Sequence, residues 1–264
     1  MNYTELLGYF GALIIGLVVG LFGGGGSILA VPIFVYLFHL NPILATSYSL
    51  FVVGFSAAAG TIINIKKKLI DYRIAIIFSF PALFSVFVVR RYLISSLPEV
   101  ILDTGSIYIT TKMALMLLFS IVILLSSFSM LKKNKAVIAQ KLNNTNYSLL
   151  LITGSVVGVL TGLVGAGGGF IIVPALVFFA GLKIKQAVAT SLVIITCNAL
   201  FGFLSDITQV NIDWFFLTSI TLISVLGIVL GSYLSNFIND MSLKKNFARF
   251  ILLIALMIIC NELA

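Results

Sequence analysis

Charged side chains are scarce in this 264-residue sequence, which has 9% Asp, Glu, Lys and Arg against 61% hydrophobic residues. A soluble domain carries about 25% charged residues. The composition therefore excludes an ordinary soluble globular protein and indicates a chain that crosses a membrane several times. The first residues, Met-Asn-Tyr-Thr-Glu, lack the basic region of a signal peptide, so we expect the first apolar run to belong to the mature protein.

Histidine and cysteine are nearly absent, with His39, Cys197 and Cys260 as their only representatives. The cysteines lie in apolar stretches without the spacing of metal ligands, and we expect small buried side chains. His39 ends an apolar segment and is expected to be interfacial rather than a proton relay. Intramembrane catalysis needs an activated nucleophile or metal ligands at mid-depth. The sequence therefore predicts no enzyme, no catalytic residue, no metal site and no cofactor.

Acidic residues are half as frequent as basic ones, 8 against 16, which gives a net charge of +8. The basic residues form short clusters between apolar segments, which is the positive-inside pattern of a bacterial inner-membrane protein and not that of a nucleic-acid-binding protein. The predicted cytoplasmic clusters are Lys66, Lys67, Lys68 and Arg73; Lys132, Lys133, Lys135 and Lys141; Lys183 and Lys185; and Lys244, Lys245 and Arg249.

Eight apolar segments follow one another, at about 6–38, 43–65, 74–94, 107–131, 148–182, 186–205, 214–238 and 247–260. One crossing needs about 20 residues, so 6–38 and 148–182 are too long for a single helix. Each contains a glycine cluster, and each glycine inside a helix costs about 1 kcal/mol relative to alanine. Both segments are therefore predicted to be helices with a sharp break, or re-entrant hairpins.

The two glycine clusters belong to an internal repeat. Gly-Leu-Phe-Gly-Gly-Gly-Gly-Ser at 20–27 recurs as Gly-Leu-Val-Gly-Ala-Gly-Gly-Gly at 162–169, and the offset of 142 also relates Pro32 to Pro174, Gly60 to Gly202 and Asp71 to Asp213. Such self-similarity indicates two copies of one unit. We predict a first transmembrane repeat at 1–131, a cytoplasmic linker at 132–147 and a second repeat at 148–264.

Loop charge predicts that the second repeat is inverted. The loop 66–73 is basic, whereas its counterpart 205–213 holds two aspartates and no basic residue, so the two loops are expected on opposite sides of the membrane. The predicted fold is an all-α polytopic membrane protein of two inverted repeats, each with a glycine-broken helical hairpin plus three transmembrane helices. Arg90 and Arg91, near the outer end of their segment, are expected to snorkel to the interface. The insert 95–111 is expected to be an external loop.

A helix is expected to restart after each glycine run, at about Ser27 and Gly169. Its first N–H groups have no intrahelical partner, and the helix dipole adds about half a positive charge there. Bare glycine backbone lets an anion approach closely, so we predict a small-anion site near the midplane where both restarts meet. Hydroxyl and amide side chains are expected to add to it. The predicted substrate-binding residues are Gly24, Gly25, Gly26, Ser27, Ser47, Ser49, Gly167, Gly168, Gly169, Thr190, Ser191 and Asn198.

These residues also have structural alternatives. Hydroxyls in helices often bond back to helical carbonyls, and small residues spaced by four, such as Gly8, Ala12, Gly16 and Gly20, allow close helix packing. Asp71 and Asp213 are expected mainly as N-caps. Packing needs one small residue per turn, so it does not explain the consecutive glycines, which favour a functional helix break.

The motifs resemble the sulfite exporter TauE/SafE family. The points of similarity are the doubled Gly-Leu-x-Gly-(Gly/Ala)-Gly-Gly followed by a proline, the run Ala-Val-Ala-Thr-Ser-Leu at 187–192, and the Asp-aromatic pairs at 71–72 and 213–214. The resemblance covers nearly the whole chain and implies a bacterial inner-membrane carrier that exports sulfite or small organosulfonates. The sequence departs from the pattern at Tyr48, which stands where the second repeat has Thr190, so less hydrogen bonding is expected in the first half-site.

The predicted function is secondary transport of a small sulfur-containing oxyanion by alternating access. The membrane potential alone can drive an anion outward, at about 2.3 kcal/mol per charge per 100 mV. An anion channel with the same pore and a carrier of another small anion remain alternatives, and the oligomeric state stays open. A purely structural subunit would leave the doubled glycine runs unexplained.

Overall fold

The computed structural model describes residues 3–96, 98, 100–103, 108–131, 147–165, 167–208, 210–235, 237–238 and 240–263. The expected linker therefore lies outside the described residues except for Tyr147, which begins a helix. The helices are α1 (Tyr3–Phe22), α2 (Ala30–Pro32), α3 (Pro42–Lys66), α4 (Tyr72–Val88), α5 (Thr111–Leu131), α6 (Tyr147–Val164), α7 (Gly169–Phe179), α8 (Ile184–Asp206), α9 (Trp214–Leu234) and α10 (Asp240–Leu263).

Apolar helices long enough to cross a membrane make up most of this architecture. Five qualify by length and composition within the described residues: Pro42–Lys66, Tyr72–Leu93, Tyr147–Val164, Ile184–Asp206 and Trp214–Leu234. Large apolar side chains on them, such as Phe80, Phe84 and Phe215, point outward and are more than two-thirds exposed. Such a surface fits lipid rather than water. The predicted all-α polytopic membrane fold is confirmed.

Glycines allow two helix pairs to pack backbone to backbone. A methyl group on Gly16 of α1 would lie 2.9 Å from the Ile228 nitrogen of α9, and one on Gly158 of α6 would lie 2.8 Å from the Ala82 Cα of α4. The contacts advance in the same direction along both members, so each pair is parallel. The glycines spaced by four thus serve close packing, as their spacing predicts.

The central pair, α3 and α8, runs antiparallel. A methyl group on Gly60 would lie 3.1 Å from Leu192 Cδ1, and one on Gly202 would lie 3.0 Å from Leu50 Cδ1. The 142-residue offset converts one contact into the other, because it relates Gly60 to Gly202 and Leu50 to Leu192. The same offset exchanges the α1–α9 pair with the α4–α6 pair. The contacts among these helices are therefore reciprocal under the repeat offset.

Hydrogen bonds at two helix starts follow the same reciprocal pattern. The carboxylates of Asp71 and Asp213 accept from backbone N–H groups three residues on, at 3.0 Å in both cases, which confirms the predicted N-caps. The Asp213 N–H donates to the Tyr48 hydroxyl at 2.7 Å, and the Asp71 N–H donates to Thr190 Oγ1 at 3.0 Å. Tyr48 thus accepts a hydrogen bond at a helix start as its counterpart Thr190 does, while less hydrogen bonding in the first half-site stays a prediction.

Three boundaries differ from the sequence-based expectations. The external insert contains a short antiparallel hairpin, β1 (Val100–Asp103) paired with β2 (Tyr108–Thr110), where a loop was expected. The fourth predicted basic loop, 244–249, lies inside α10. After the first break the chain forms a 3₁₀ turn (Gly25–Leu29), the single turn α2 and a π turn (Ile33–Leu37), whereas α7 is continuous. In this stretch the helix changes its hydrogen-bond pattern twice.

Candidate functional site

Each glycine break is a run of left-handed backbone. The φ angle is 66° at Gly23 and 80° at Gly24, and it is between 64° and 72° at Gly165, Gly167 and Gly168. Only glycine adopts this region without strain. Gly168 caps α7, which begins at Gly169 as predicted. In the first break the helix restarts at Gly25, two residues before the expected Ser27.

The two breaks meet near the middle of α3 and α8. A methyl group on Gly24 would lie 2.9 Å from the Gly169 Cα, so the two backbones are in contact there. One on Gly167 would lie 3.1 Å from Val53 Cγ1 and 3.2 Å from Ile195 Cγ2, and these two residues lie at the centres of their helices. The structure thus places Gly24 of the first break beside Gly169 of the second, and Gly167 at the centres of α3 and α8.

Backbone hydrogen bonding resumes just beyond each break. The first bonds run from Ser27 N–H to Gly24 O at 3.1 Å and from Ile171 N–H to Gly168 O at 2.9 Å. The N–H groups before them belong to the first turn, which a helix leaves without an internal partner. The N-terminus of α7 therefore lies against the backbone of Gly24 in the first break.

Three predicted hydroxyls form hydrogen bonds within the protein, two as donors and one as an acceptor. Ser27 Oγ donates to Gly24 O at 2.6 Å, and Ser191 Oγ donates to a carbonyl three residues earlier at 2.8 Å. Thr190 Oγ1 accepts from Asp71 N–H. The two serine contacts match the structural alternative of back-bonding to a nearby carbonyl. Thr190 does not, because it accepts from the backbone at the start of α4.

Other buried polar groups have no partner among the described residues. They include Ser49 Oγ, Thr161 Oγ1 and both amide atoms of Asn198, on side chains no more than 1% exposed. Thr61 Oγ1, Ser232 Oγ and two nitrogens of Arg90 also have none. Leaving a buried donor or acceptor unpaired costs about 1–3 kcal/mol. Thr161 lies under the second break, since a methyl group on Gly168 would lie 3.4 Å from its Cβ. Unpaired groups beside a glycine break are what a site for a polar ligand provides.

A buried ion pair lies next to the second break. Arg90 Nη1 is 2.8 Å from Asp206 Oδ2, and the two side chains are only 1% and 5% exposed. The Ser47 hydroxyl also donates to Asp206 Oδ2, and Arg90 Nη1 donates to Thr46 Oγ1 at 3.2 Å. Ser47 is thus joined to an ion pair rather than to the meeting point of the breaks. We call these four residues the Arg90 cluster.

Snorkelling is the wrong expectation for Arg90, although Arg91 is exposed. Asp206, expected in an outward loop, is the last residue of α8 and supplies a counter-charge inside the protein. The signal in the sequence is the repeat offset. The offset relates Arg90 to Ser232 and Asp206 to Asn64. Arg90 and Asp206 carry opposite charges, whereas their counterparts Ser232 and Asn64 carry none.

A cavity of about 760 Å³ lies at the start of α3, near the loop before α9. Its lining includes Tyr9, His39, Leu44, Tyr48, Asp213 and Phe216. His39 is exposed, in agreement with an interfacial position. No glycine of either break is among the residues that line this cavity, and Gly24, Gly167 and Gly168 are buried.

Cysteine and metal chemistry play no visible part in the described residues, which contain no group of three or more His, Cys, Asp or Glu side chains placed to hold a metal ion. Cys197 is half-buried, whereas Cys260 is exposed on α10 and the expectation that it is buried is wrong.

Comparison with known proteins gives one consistent result. The family model "Sulfite exporter TauE/SafE" matches residues 9–258. The "Probable membrane transporter protein" of Xylella fastidiosa (strain Temecula1) is 26% identical over 257 residues, covering 95% of this chain and 93% of the relative. The "Probable membrane transporter protein YdhB" of Bacillus subtilis (strain 168) is 28% identical over 233 residues, covering 88% and 91%. No solved structure matches the chain significantly.

Proposed function

The chain belongs to the sulfite exporter TauE/SafE family, and hence to membrane transporters and not to enzymes; from this premise we propose that it exports a small sulfur-containing oxyanion, such as sulfite or an organosulfonate, by alternating access. The observation that carries the proposal is the meeting of both glycine breaks, where Gly24 and Gly169 touch at the centre of the helix bundle. Irregular backbone at membrane depth is tolerated where it lines a substrate cavity.

A compact oxyanion suits this site because its oxygens accept several N–H hydrogen bonds at once. The α7 N-terminus offers such donors together with the positive end of a helix dipole. Asn198 and Ser49 add buried polar groups on the two central helices. In this proposal the anion meets main-chain donors at the meeting point, and the Arg90 cluster lies beside Gly165 of the second break.

Two inverted repeats, at 1–131 and 148–264, are part of the proposal. The antiparallel α3–α8 pair and the reciprocal bonds of Tyr48 with Asp213 and Thr190 with Asp71 support it. Alternating access in such folds exchanges the conformations of the two repeats around a central site. The cavity beside Tyr48 is then the entrance on one side, in a bacterial inner membrane.

Transport by purified protein in liposomes tests the proposal. We expect saturable uptake among sulfite, sulfoacetate, taurine, sulfate and chloride, with preference for a sulfur oxyanion and dependence on an imposed membrane potential. Gly168→Ala is expected to reduce that uptake at least about tenfold, because its methyl group would collide with Thr161 and displace the first N–H groups of α7.

Gly181→Ala is the matched control. Gly181 has φ of 67° against 68° at Gly168, but nothing lies within 4 Å of a methyl group placed on it. Both variants therefore carry the same backbone strain, and only one obstructs the break. Equal loss in both would refute the site. Flux that does not saturate, with rapid chloride leakage, would favour the anion channel, and saturable flux of a different anion would favour the other carrier.

A further inference from the structure

Arg90 has hydrogen-bond donors left over after its ion pair is formed. Its Nη1 is engaged by Asp206 and Thr46, whereas Nε and Nη2 have no partner among the described residues. Nε and Nη2 form one edge of the planar guanidinium, which binds two oxygens of an oxyanion in parallel. A buried cation with that whole edge unpaired is costly, so the Arg90 cluster is an incomplete site.

The unpaired edge faces the second glycine break. A methyl group on Gly165 would lie 2.6 Å from Arg90 Nη2 and 2.7 Å from the Thr46 Cα. Gly165 lies two residues before Gly167, which contacts Val53 at the centre of α3. Thr46 is seven residues before Val53, or about 10 Å along the helix axis. Arg90 therefore lies about 10 Å along the α3 axis from the meeting point of the breaks. It lies beside Thr46 and Gly165 and is not among the residues that line the cavity.

The fold itself does not require a charge at this position. By the repeat offset, Gly23 corresponds to Gly165, and it packs against Val188, the counterpart of Thr46. The counterparts of Arg90 and Asp206 are Ser232 and Asn64, and Asn64 Nδ2 simply donates to Gly60 O at 2.9 Å. The repeat-related position is thus filled by neutral residues. Buried ion pairs are often replaceable without loss of stability, so the charge calls for a functional explanation.

We propose that Arg90 binds the transported oxyanion through Nε and Nη2. Asp206 holds Nη1, and the hydroxyls of Thr46 and Ser47 fix the orientation of the pair. This inference rests on the proposed function and adds a charged binding residue beside Gly165 of the second break. Because Arg90 is 1% exposed, the anion reaches it only when the second break moves away from α4.

Anion binding to the purified full-length protein in detergent tests the inference, with sulfite and sulfoacetate as probes and calorimetry as the readout. Arg90→Gln is expected to weaken binding about 10- to 100-fold, the loss for a charged bidentate contact. Arg90→Lys, which keeps the charge and loses the fork, should fall in between. Arg91→Gln removes the same charge from an exposed neighbour and should bind as the wild type does.

Asp206→Asn separates a binding role from a structural one. Removing the carboxylate frees Nη1 and leaves the cation without a counter-ion, so the oxyanion should bind about tenfold more tightly and stabilise this variant more than the wild type. A merely structural pair would weaken binding in this variant. If Arg90→Gln does not fold, the neutral double variant Arg90→Gln/Asp206→Asn serves instead and should show the same loss of binding.

The outcomes distinguish this inference from the proposed function. Binding by the wild type together with unchanged binding by the folded Arg90→Gln or double variant overturns the role of Arg90 alone. Absence of binding by the wild type for every oxyanion tested overturns the proposed substrate class and this inference with it. Loss in the Arg90 variants, a gain in Asp206→Asn and no change in Arg91→Gln support it.

Discussion

The buried ion pair makes a quantitative prediction about stability that is independent of any ligand. Arg90→Gln removes the cation and leaves the Asp206 carboxylate, 5% exposed, with the Ser47 hydroxyl as a hydrogen-bond partner. Asp206→Asn leaves the guanidinium without its counter-ion. The double variant Arg90→Gln/Asp206→Asn removes both charges and leaves a neutral amide at each position. These three variants and the wild type form a double-mutant cycle.

The expected magnitudes follow from the geometry. At 2.8 Å, with an effective dielectric constant of about 20, the attraction is about 6 kcal/mol. Desolvation of the two ions offsets much of that attraction, so the pair adds little net stability. Each single variant, however, leaves one ion buried alone and should lose about 3–5 kcal/mol. The double variant should lie within about 1–2 kcal/mol of the wild type, because no uncompensated charge remains.

Unfolding by sodium dodecyl sulfate in mixed micelles, followed by circular dichroism, measures these free energies. Arg91→Gln is the control and should change stability by no more than about 0.5 kcal/mol, because its side chain is exposed. Single variants that lose less than about 1 kcal/mol, or a double variant that loses the sum of both, would show that the two charges are not coupled and would refute the buried pair.

Two further predictions concern hydrogen bonding. Asn198→Leu should leave the free energy of unfolding unchanged or raise it, because both amide atoms are buried without a partner among the described residues. The same variant should lower saturable transport. A variant that is less stable and transports normally would show that the amide is structural. Tyr48→Phe and Thr190→Val should each lower the free energy of unfolding by about 1 kcal/mol in the same assay, because each removes the acceptor for one backbone N–H. The double variant should lose the sum, since the two bonds lie at opposite ends of the central helices. A loss in only one of the two single variants would contradict the equivalence of the two bonds.

Local rules explain why much of this fold was predictable. Glycine is the only residue that adopts φ near 70° without strain, so the runs at Gly24 and Gly168 mark the breaks directly. The aspartates before Tyr72 and Trp214 are N-caps for a similarly local reason. The repeat offset then relates distant contacts, because self-similar sequences adopt self-similar structures.

Long-range pairing explains what was missed. Arg90 and Asp206 are 116 residues apart, and the sequence around each of them does not indicate that the other is its counter-ion. Snorkelling is the ordinary expectation for an arginine near a helix end, and only the packing of α4 against α8 replaces it with an ion pair. The hydroxyls of Ser27 and Ser191 show the converse, since sequence placed them at the site and local geometry turned their protons to the backbone.

The pairing of helices has a consequence for biogenesis. α1 packs on α9, α3 on α8, α4 on α6 and α5 on α10, so each of these pairs joins a helix before residue 131 to one after residue 147. During synthesis, α1, α3, α4 and α5 therefore enter the bilayer before the helices on which they pack have been made. The most extensive helix pairing can therefore begin only with the arrival of α6 and is complete only after α10. Two separately synthesised halves should therefore be short-lived alone and stabilise one another when they are made in the same cell.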